Sequence, residues 1–186
     1  MPSKEASVGA WEIVLNDLVT PIGLTIAAVV MHGDGARFQT EPFAYEMDGE
    51  VDLEAMIHES ALEAFVKSKV PENVQEIWLS LLPDKVHIRA VVKMLLPVTA
   101  NAVCTLRIED GERVFVVLES AEALGAGIKG LVQKQLDAIN PVLDVSDIPF
   151  EVRLTEIRIE EGRLVATGKA KPPKAKPRKT QKTGPS

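Results

Sequence analysis

The chain has 186 residues, of which 46% are apolar and only 4% aromatic, so it is long and greasy enough to bury a core built from Val, Ile, Leu and Ala rather than from stacked rings. Cys104 is the only cysteine, which excludes an intramolecular disulfide and any multi-thiolate metal site. The net charge of −6 is unevenly spread: residues 1–170 carry 15 basic against 27 acidic groups, a net −12 that phosphates of a nucleic acid would repel, while six Lys/Arg and no acid lie from Lys171 onward.

From Gly9 to Met31 the apolar residues Trp11, Val14, Leu15, Leu18, Ile22 and Ile26 recur at helical spacing, which predicts a helix ended or kinked by Pro21. Within it, Leu18 to Met31 is a charge-free run of 14 residues. A membrane-spanning helix needs about 20. A secretory leader would want a basic start, whereas here Lys4 is offset by Glu5, and Glu12 and Asp17 precede the run. The expected location is cytoplasmic, peripheral to a membrane at most. His32-Gly33-Asp34-Gly35 predicts a turn, and Arg37 to Met47 a strand closed by Asp48-Gly49.

A second helix is expected from Asp52 to Lys69, with Asp52 as N-cap, Glu54 and Glu59 early, Lys67 and Lys69 late, and Pro71 beyond. Its apolar stripe would be Leu53, Met56, Ile57, Ala61, Ala64 and Phe65. Next, Val74 to Leu82, Lys85 to Leu96, Ala102 to Glu109 and Arg113 to Ser120 predict a meander of strands. Val86, Ile88, Ala90, Val92 and Met94 share one face of it, and His87, Arg89 and Lys93 the other. Glu109-Asp110-Gly111-Glu112 supplies one hairpin turn. A third helix, Leu124 to Ile139, would bury Leu124, Ile128, Leu131, Val132, Gln135 and Leu136 and stop at Asn140-Pro141. Phe150 to Ile159 and Arg163 to Lys169 predict a last hairpin. Its alternation slips by one residue, which places a bulge near Thr155-Glu156.

Candidate chemistry is sparse. Gly125-Ala126-Gly127-Ile128-Lys129-Gly130 has the G-x-G-x-x-G spacing, but antiparallel hairpins precede it and no second βαβ unit follows, so it reads as a turn and helix start rather than a dinucleotide site. His32, His58 and His87 are scattered without a second ligand at i+3 or i+4, so no metal or other cofactor is expected. Asp144 and Asp147, with Asn140, read as turn-capping groups. Residues 171–186, rich in Lys and Pro with no large apolar residue, are expected to be a disordered basic tail. Lys171, Lys174, Lys176, Arg178, Lys179 and Lys182 could tether it to an anionic membrane.

From Val51 onward the order of elements resembles the LmeA-like phospholipid-binding family, itself similar in fold to tubular lipid-binding (TULIP) proteins. The residues carrying the resemblance are Val51-Asp52-Leu53 with Ala61-Leu62, Glu109-Asp110-Gly111, Leu136 with Asn140-Pro141-Val142-Leu143-Asp144, Ile148-Pro149-Phe150, Ile157 to Gly162, and Gly168. The resemblance implies an α+β fold, a curved antiparallel sheet wrapped on a long helix with additional helices, as one domain over residues 1–170. It also implies non-enzymatic binding of a lipid or other apolar ligand in an elongated groove. Ile57, Phe65, Ile88, Val92, Leu106, Val116, Leu131, Leu136, Val152 and Leu154 are the groove candidates. The alternative is a structural or protein-interaction module with a fully packed core, and an enzyme ranks third. Replacing Phe65 by Ala should cost about 3–5 kcal/mol in a packed core and less beside an adaptable groove, read from denaturant unfolding; an unchanged midpoint would show that the helix or its face is misassigned.

Overall fold

A computed structural model describes residues 5–40, 43–93, 97–123, 128–147 and 151–171. In chain order the strands are β1 (Glu5–Val8), β2 (Trp11–Val19), β3 (Thr25–Gly33), β4 (Ala36–Thr40), β5 (Phe43–Met47) and β6 (Val51–His58). Helix α1 (Glu59–Lys69) is followed by β7 (Val74–Leu82), β8 (Lys85–Lys93), β9 (Pro97–Glu109) and β10 (Arg113–Ala123). Helix α2 (Ile128–Ile139), the short β11 (Leu143–Asp144), a 3-10 turn at Val145–Asp147, β12 (Glu151–Glu160) and β13 (Arg163–Lys171) complete the chain. Every strand pairing is antiparallel, in a small sheet β1-β4-β5 and two five-stranded sheets, β12-β13-β6-β3-β2 and β11-β10-β9-β8-β7. This is an α+β arrangement. The expected meander is the second large sheet, in sequence order.

Two expectations are overturned at the N-terminal end. The helix expected between Gly9 and Met31 is the β2–β3 hairpin, with Trp11 opposite Gly33 and Leu18 opposite Ile26. Ile13, Val14 and Leu15 are consecutive apolar residues, so a two-faced strand imitates a helical stripe, and the β-branched Ile, Val and Thr of this stretch favour the pleated form. Pro21 and Gly23 make the turn instead of a kink: Gly23 has φ 92°, and Thr20 Oγ1 accepts the Leu24 N–H at 3.0 Å. The second helix starts seven residues later than Asp52. Val51 to His58 is β6, a central strand held between β13 and β3, and the ladder on both sides overrides the Asp52 capping signal. The helix itself keeps its expected end, with Lys67 and Lys69 in the last turn.

Smaller differences follow local chemistry. Arg37 to Met47 is a hairpin, β4 paired with β5, rather than one strand. Among the described residues the helices have 11 and 12 residues, and no long helix is present among them. Leu124 to Gly127, Met94 to Leu96, Ile148 to Phe150 and residues 172–186 carry parts of the expectations that lie outside the described residues. Lys171, placed in the tail by the sequence, closes β13 opposite Glu151.

The two large sheets meet at a seam that the sequence marks with glycine. In the β9–β10 turn Asp110 (φ 57°) and Gly111 (φ 74°) both take the left-handed conformation that suits a tight hairpin. Gly111 O accepts the Leu154 N–H at 2.7 Å, at the point where β12 slips register between Leu154 and Glu156. The bulge lies where the alternation breaks. Gly168, paired with Leu154, approaches so closely that a Cβ would sit 2.5 Å from the Arg153 carbonyl oxygen. Gly168→Ala is therefore expected to destabilise by about 1–3 kcal/mol. Gly130→Ala, on the open side of α2 with nothing within 4 Å, should stabilise by about 0.5–1 kcal/mol. Opposite shifts of the thermal midpoint would check the pair.

Candidate functional site

The interior between the sheets is aliphatic. One cluster joins Leu79, Leu81, Val86, Ala102 and Cys104 of the meander to Ile57, Ile159 and Leu164 of the other large sheet, with Leu24 and Leu136. A second cluster joins Val51, Val152, Leu154 and Ala170 to Val114 and Val145. Leu106 and Ile157 pack against both. On the first cluster lie Ala61, Leu62, Phe65 and Val66 of α1 and Val132 of α2, all only partly buried, and α1 has no fully buried residue. An amphipathic helix laid on a sheet usually buries its apolar stripe. Here no residue of the stripe is fully buried.

Helix α1 is pinned by polar groups instead. Strand β7 is the edge of its sheet, and its outward N–H groups would otherwise lack strand partners. Glu59 accepts the Leu81 N–H at 2.7 Å and Glu63 the Leu79 N–H at 3.1 Å. The Glu59 N–H donates to Gly162 O at 2.9 Å, and the Gly162 N–H to Leu81 O at 3.1 Å. The start of α1, the β12–β13 turn and the end of β7 are thereby one hydrogen-bonded unit. Glu63 also pairs with Lys67. The Lys67 ammonium, then the Leu79 N–H, hold its carboxyl below the usual carboxylate range.

Helix α2 is attached by a similar device. The Asn140 carboxamide accepts the Val116 N–H and donates to Val116 O, both at 2.9 Å, so one side chain acts as a strand partner for β10. The Val142 N–H then donates to Val114 O and the Val145 N–H to Glu112 O, each at 2.9 Å. Asp144 accepts the N–H and the hydroxyl of Ser146, at 2.9 and 2.5 Å, and these bonds lower its pKa. It is a turn-capping carboxylate. The side chain of Asp147 lies outside the described residues.

Groups with reaction potential are kept apart. Cys104 is fully buried on the inner face of β9, where desolvation, helped by Glu119, raises its thiol pKa to about 11. A thiol so placed stays protonated and unreactive. Val86 is its partner in register, so the neighbouring His87 projects from the opposite face. His32 stands 3.4 Å from Glu12 with more than half of both side chains in solvent. Among the described residues no three His, Cys, Asp or Glu side chains converge as metal ligands. Gly125 to Gly127 of the glycine-spaced segment lie outside the described residues, and Lys129 and Gly130 lie within α2.

The groove candidates divide between the two clusters. Ile57 and Leu136 belong to the first, with Phe65, Ile88 and Val116 packed against it; Val152 and Leu154 belong to the second; Leu106 touches both. Val92 is buried on the inner face of β8, and the side chain of Leu131 lies outside the described residues. Leu62 and Val66 fall outside the stripe predicted from Asp52, because the first part of that stripe is strand β6. Glu59 and Asn140 carry helix-end signals in the sequence and Glu63 carries none; nothing local says that the three reach a distant strand.

Residues 11–169 match the model of the LmeA-like phospholipid-binding family, and the chain belongs to that family. No curated protein and no solved structure matches it.

Glu59→Ala removes the acceptor of the buried Leu81 N–H and should cost about 1–3 kcal/mol in denaturant unfolding. Glu63, with its pKa lowered in the folded state, contributes stability that is present above the ordinary carboxylate pKa and is lost as the pH falls through the lowered value. In Glu63→Gln the amide oxygen can still accept the Leu79 N–H, so the variant should fold and show a shallower loss of stability on acidification. An acid limb identical to that of the unsubstituted protein would contradict this.

Proposed function

We propose that the protein binds a phospholipid or a comparable apolar ligand without chemical turnover, holding its chains in the aliphatic layer between α1, α2 and the two large sheets. The observation that carries this reading is α1, which lies over an aliphatic cluster, buries no residue completely, and is fastened through Glu59 and Glu63 at the sheet edge. Membership of the phospholipid-binding family supports the ligand class. The tubular-lipid-binding arrangement, a sheet curved around a helix with an elongated groove, is part of the proposal. So is a single domain over residues 1–170. Phe65, Ile88, Leu106 and Val116, partly buried beneath the helices, are the lining we assign. Ile57, Val92, Leu136, Val152 and Leu154 form the firmer wall behind them, and Leu131 is retained as a candidate on α2.

Lys171 with Lys174, Lys176, Arg178, Lys179 and Lys182 is proposed as an electrostatic tether to anionic membrane, worth about 1 kcal/mol per cation near the surface at low salt. No helix among the described residues is long and apolar enough to cross a membrane, so the proposed contact is peripheral. A cytoplasmic location belongs to the same proposal. A second reading, an interaction module with a packed core, is favoured by the near-complete burial of Val51, Leu81 and Cys104.

Lipid extraction and native mass spectrometry of protein purified from cells should find bound lipid, and the protein should take up a fluorescent acyl probe. Deleting residues 172–186 should leave that uptake intact while weakening salt-sensitive vesicle binding. A stably folded protein that carries no lipid and takes up no probe would overturn the lipid reading and leave the packed module.

A further inference from the structure

Strand β2 has the composition of a buried strand and the exposure of a surface one. Every residue from Glu12 to Val19 is exposed, whereas each of the other strands of nine or more residues carries at least one fully buried residue. Ile13, Val14 and Leu15 follow one another without a polar break, the pattern of a strand covered on both faces. Seven of the ten large apolar side chains exposed among the described residues lie between Val8 and Ile22. So dense a concentration of exposed apolar groups marks a contact.

The backbone says what kind of group makes that contact. Strand β2 ends its sheet, with no strand beyond it among the described residues, and an edge presents a row of N–H and C=O groups that a further strand can pair. The hydrocarbon of a bilayer offers those groups no hydrogen bond, and Glu12 and Asp17 beside the apolar residues are repelled by anionic lipid. An added strand covers side chains and backbone together. Asp17, at φ 53°, drops out of the ladder: Asn16 pairs with Ala28, and pairing resumes at Leu18 with Ile26. The regular part of the edge is therefore Trp11 to Asn16.

This segment is complementary to itself in one register. Ile13 and Leu15 lie on the inner face, opposite Met31 and the buried Val29, while Glu12, Val14 and Asn16 lie on the outer face, opposite His32, Val30 and Ala28. In an antiparallel pair about a twofold axis at Val14, Ile13 of one copy meets Leu15 of the other, Val14 meets its own counterpart, and Glu12 meets Asn16. Aliphatic groups then face aliphatic groups, and each carboxylate faces a carboxamide donor. An axis at Leu15 would set Asp17 against Ile13 and Glu12 against Leu18, and one at Ile13 would set Glu12 against Val14. An axis between Val14 and Leu15 would oppose Glu12 to Asp17 and match inner residues with outer ones.

We infer that the edge of β2 from Trp11 to Asn16 is an interface between two copies of this chain, paired antiparallel about a twofold axis at Val14. The pairing joins the five-stranded sheets of the two copies into one continuous sheet and sets both inner faces on the same side. It does not rest on the lipid reading, and a protein free of lipid pairs in the same way.

Sedimentation equilibrium of the full-length chain should show a monomer–dimer equilibrium that tightens with salt, because both copies are net negative. Asn16→Glu sets a second carboxylate opposite Glu12, twice per dimer, and should weaken association about tenfold. Adding Glu12→Lys to that variant should restore it. Val14→Cys, at the axis, should form an intermolecular disulfide on mild oxidation, since opposed strand positions lie about 4.5–5.5 Å apart, within the span of a disulfide. Val19→Cys should not, although Val19 is 70% exposed, because the register leaves it opposite Gly9, outside the paired segment. Cys104 is fully buried and does not compete. All the substituted positions are exposed, so each variant should keep the circular dichroism of the parent. A chain that stays monomeric up to its solubility limit would overturn the interface, as would equal cross-linking at the two cysteine positions. A dimer indifferent to Asn16→Glu would place the contact on another face, and shielding of Val14→Cys by vesicles alone would assign the edge to lipid; either result overturns the proposal.

Discussion

The structure depends on how the free edge of the meander sheet is closed. An edge strand offers unpaired N–H and C=O groups, and β7 has no strand beyond it among the described residues. The chain meets these groups with two helical carboxylates and one turn: Glu59 and Glu63 accept the Leu81 and Leu79 N–H groups, and Gly162 donates to Leu81 O. The same bonds fix where α1 lies, since a helix of 11 residues is marginal on its own and takes its position from tertiary contacts. They also bring the β12–β13 hairpin against the end of β7, where the Asp84 N–H donates to Ile159 O at 3.0 Å. Sheet edge, helix placement and the meeting of the two large sheets are one problem with one solution.

Because that solution is polar and lies at the helix start, the apolar face of α1 is not required to pack completely for the helix to stay in place. At the far end the Gly111–Leu154 bond and the close approach at Gly168 hold the sheets together through backbone, again without large side chains. Between the two fixed ends, Leu106 and Ile157 connect the clusters.

Much of this was legible where period and turn chemistry agree. The strands Val74 to Leu82 and Arg113 to Ser120, the Asp110-Gly111 turn and the bulge beside Thr155 are all dictated locally, and they appear where alternation and glycine place them. The first 58 residues misled because both faces of β2 are apolar and because Asp52 resembles a helix cap inside what is a central strand. For β6 the pairing with β13, far along the chain, decided the outcome, and a window of local sequence does not contain that partner. The interior was legible as a set of apolar positions and not as a shape. Ile57 and Phe65 belong to one reading of a helical stripe, yet one is a buried strand residue and the other a partly buried helical one.

The outward surfaces follow from the same constraint. Alternation in β8 sends Val86, Ile88, Ala90 and Val92 inward and leaves Lys85, His87, Arg89, Val91 and Lys93 on the outward face. The opposite edge of the other large sheet makes the contrast. Strand β2 has no further strand beside it among the described residues and exposes Ile13, Val14, Leu15, Leu18 and Val19, with Glu12 and the positive-φ Asp17 as its only charges. At β7 a helix satisfies the edge, and the exposed Trp78 and Leu82 stand on the face, next to cations. At β2 the apolar residues stand on the edge itself, next to acids. The two edges therefore differ in how their backbone is met: helical carboxylates accept the N–H groups of β7, whereas no strand among the described residues lies beyond β2.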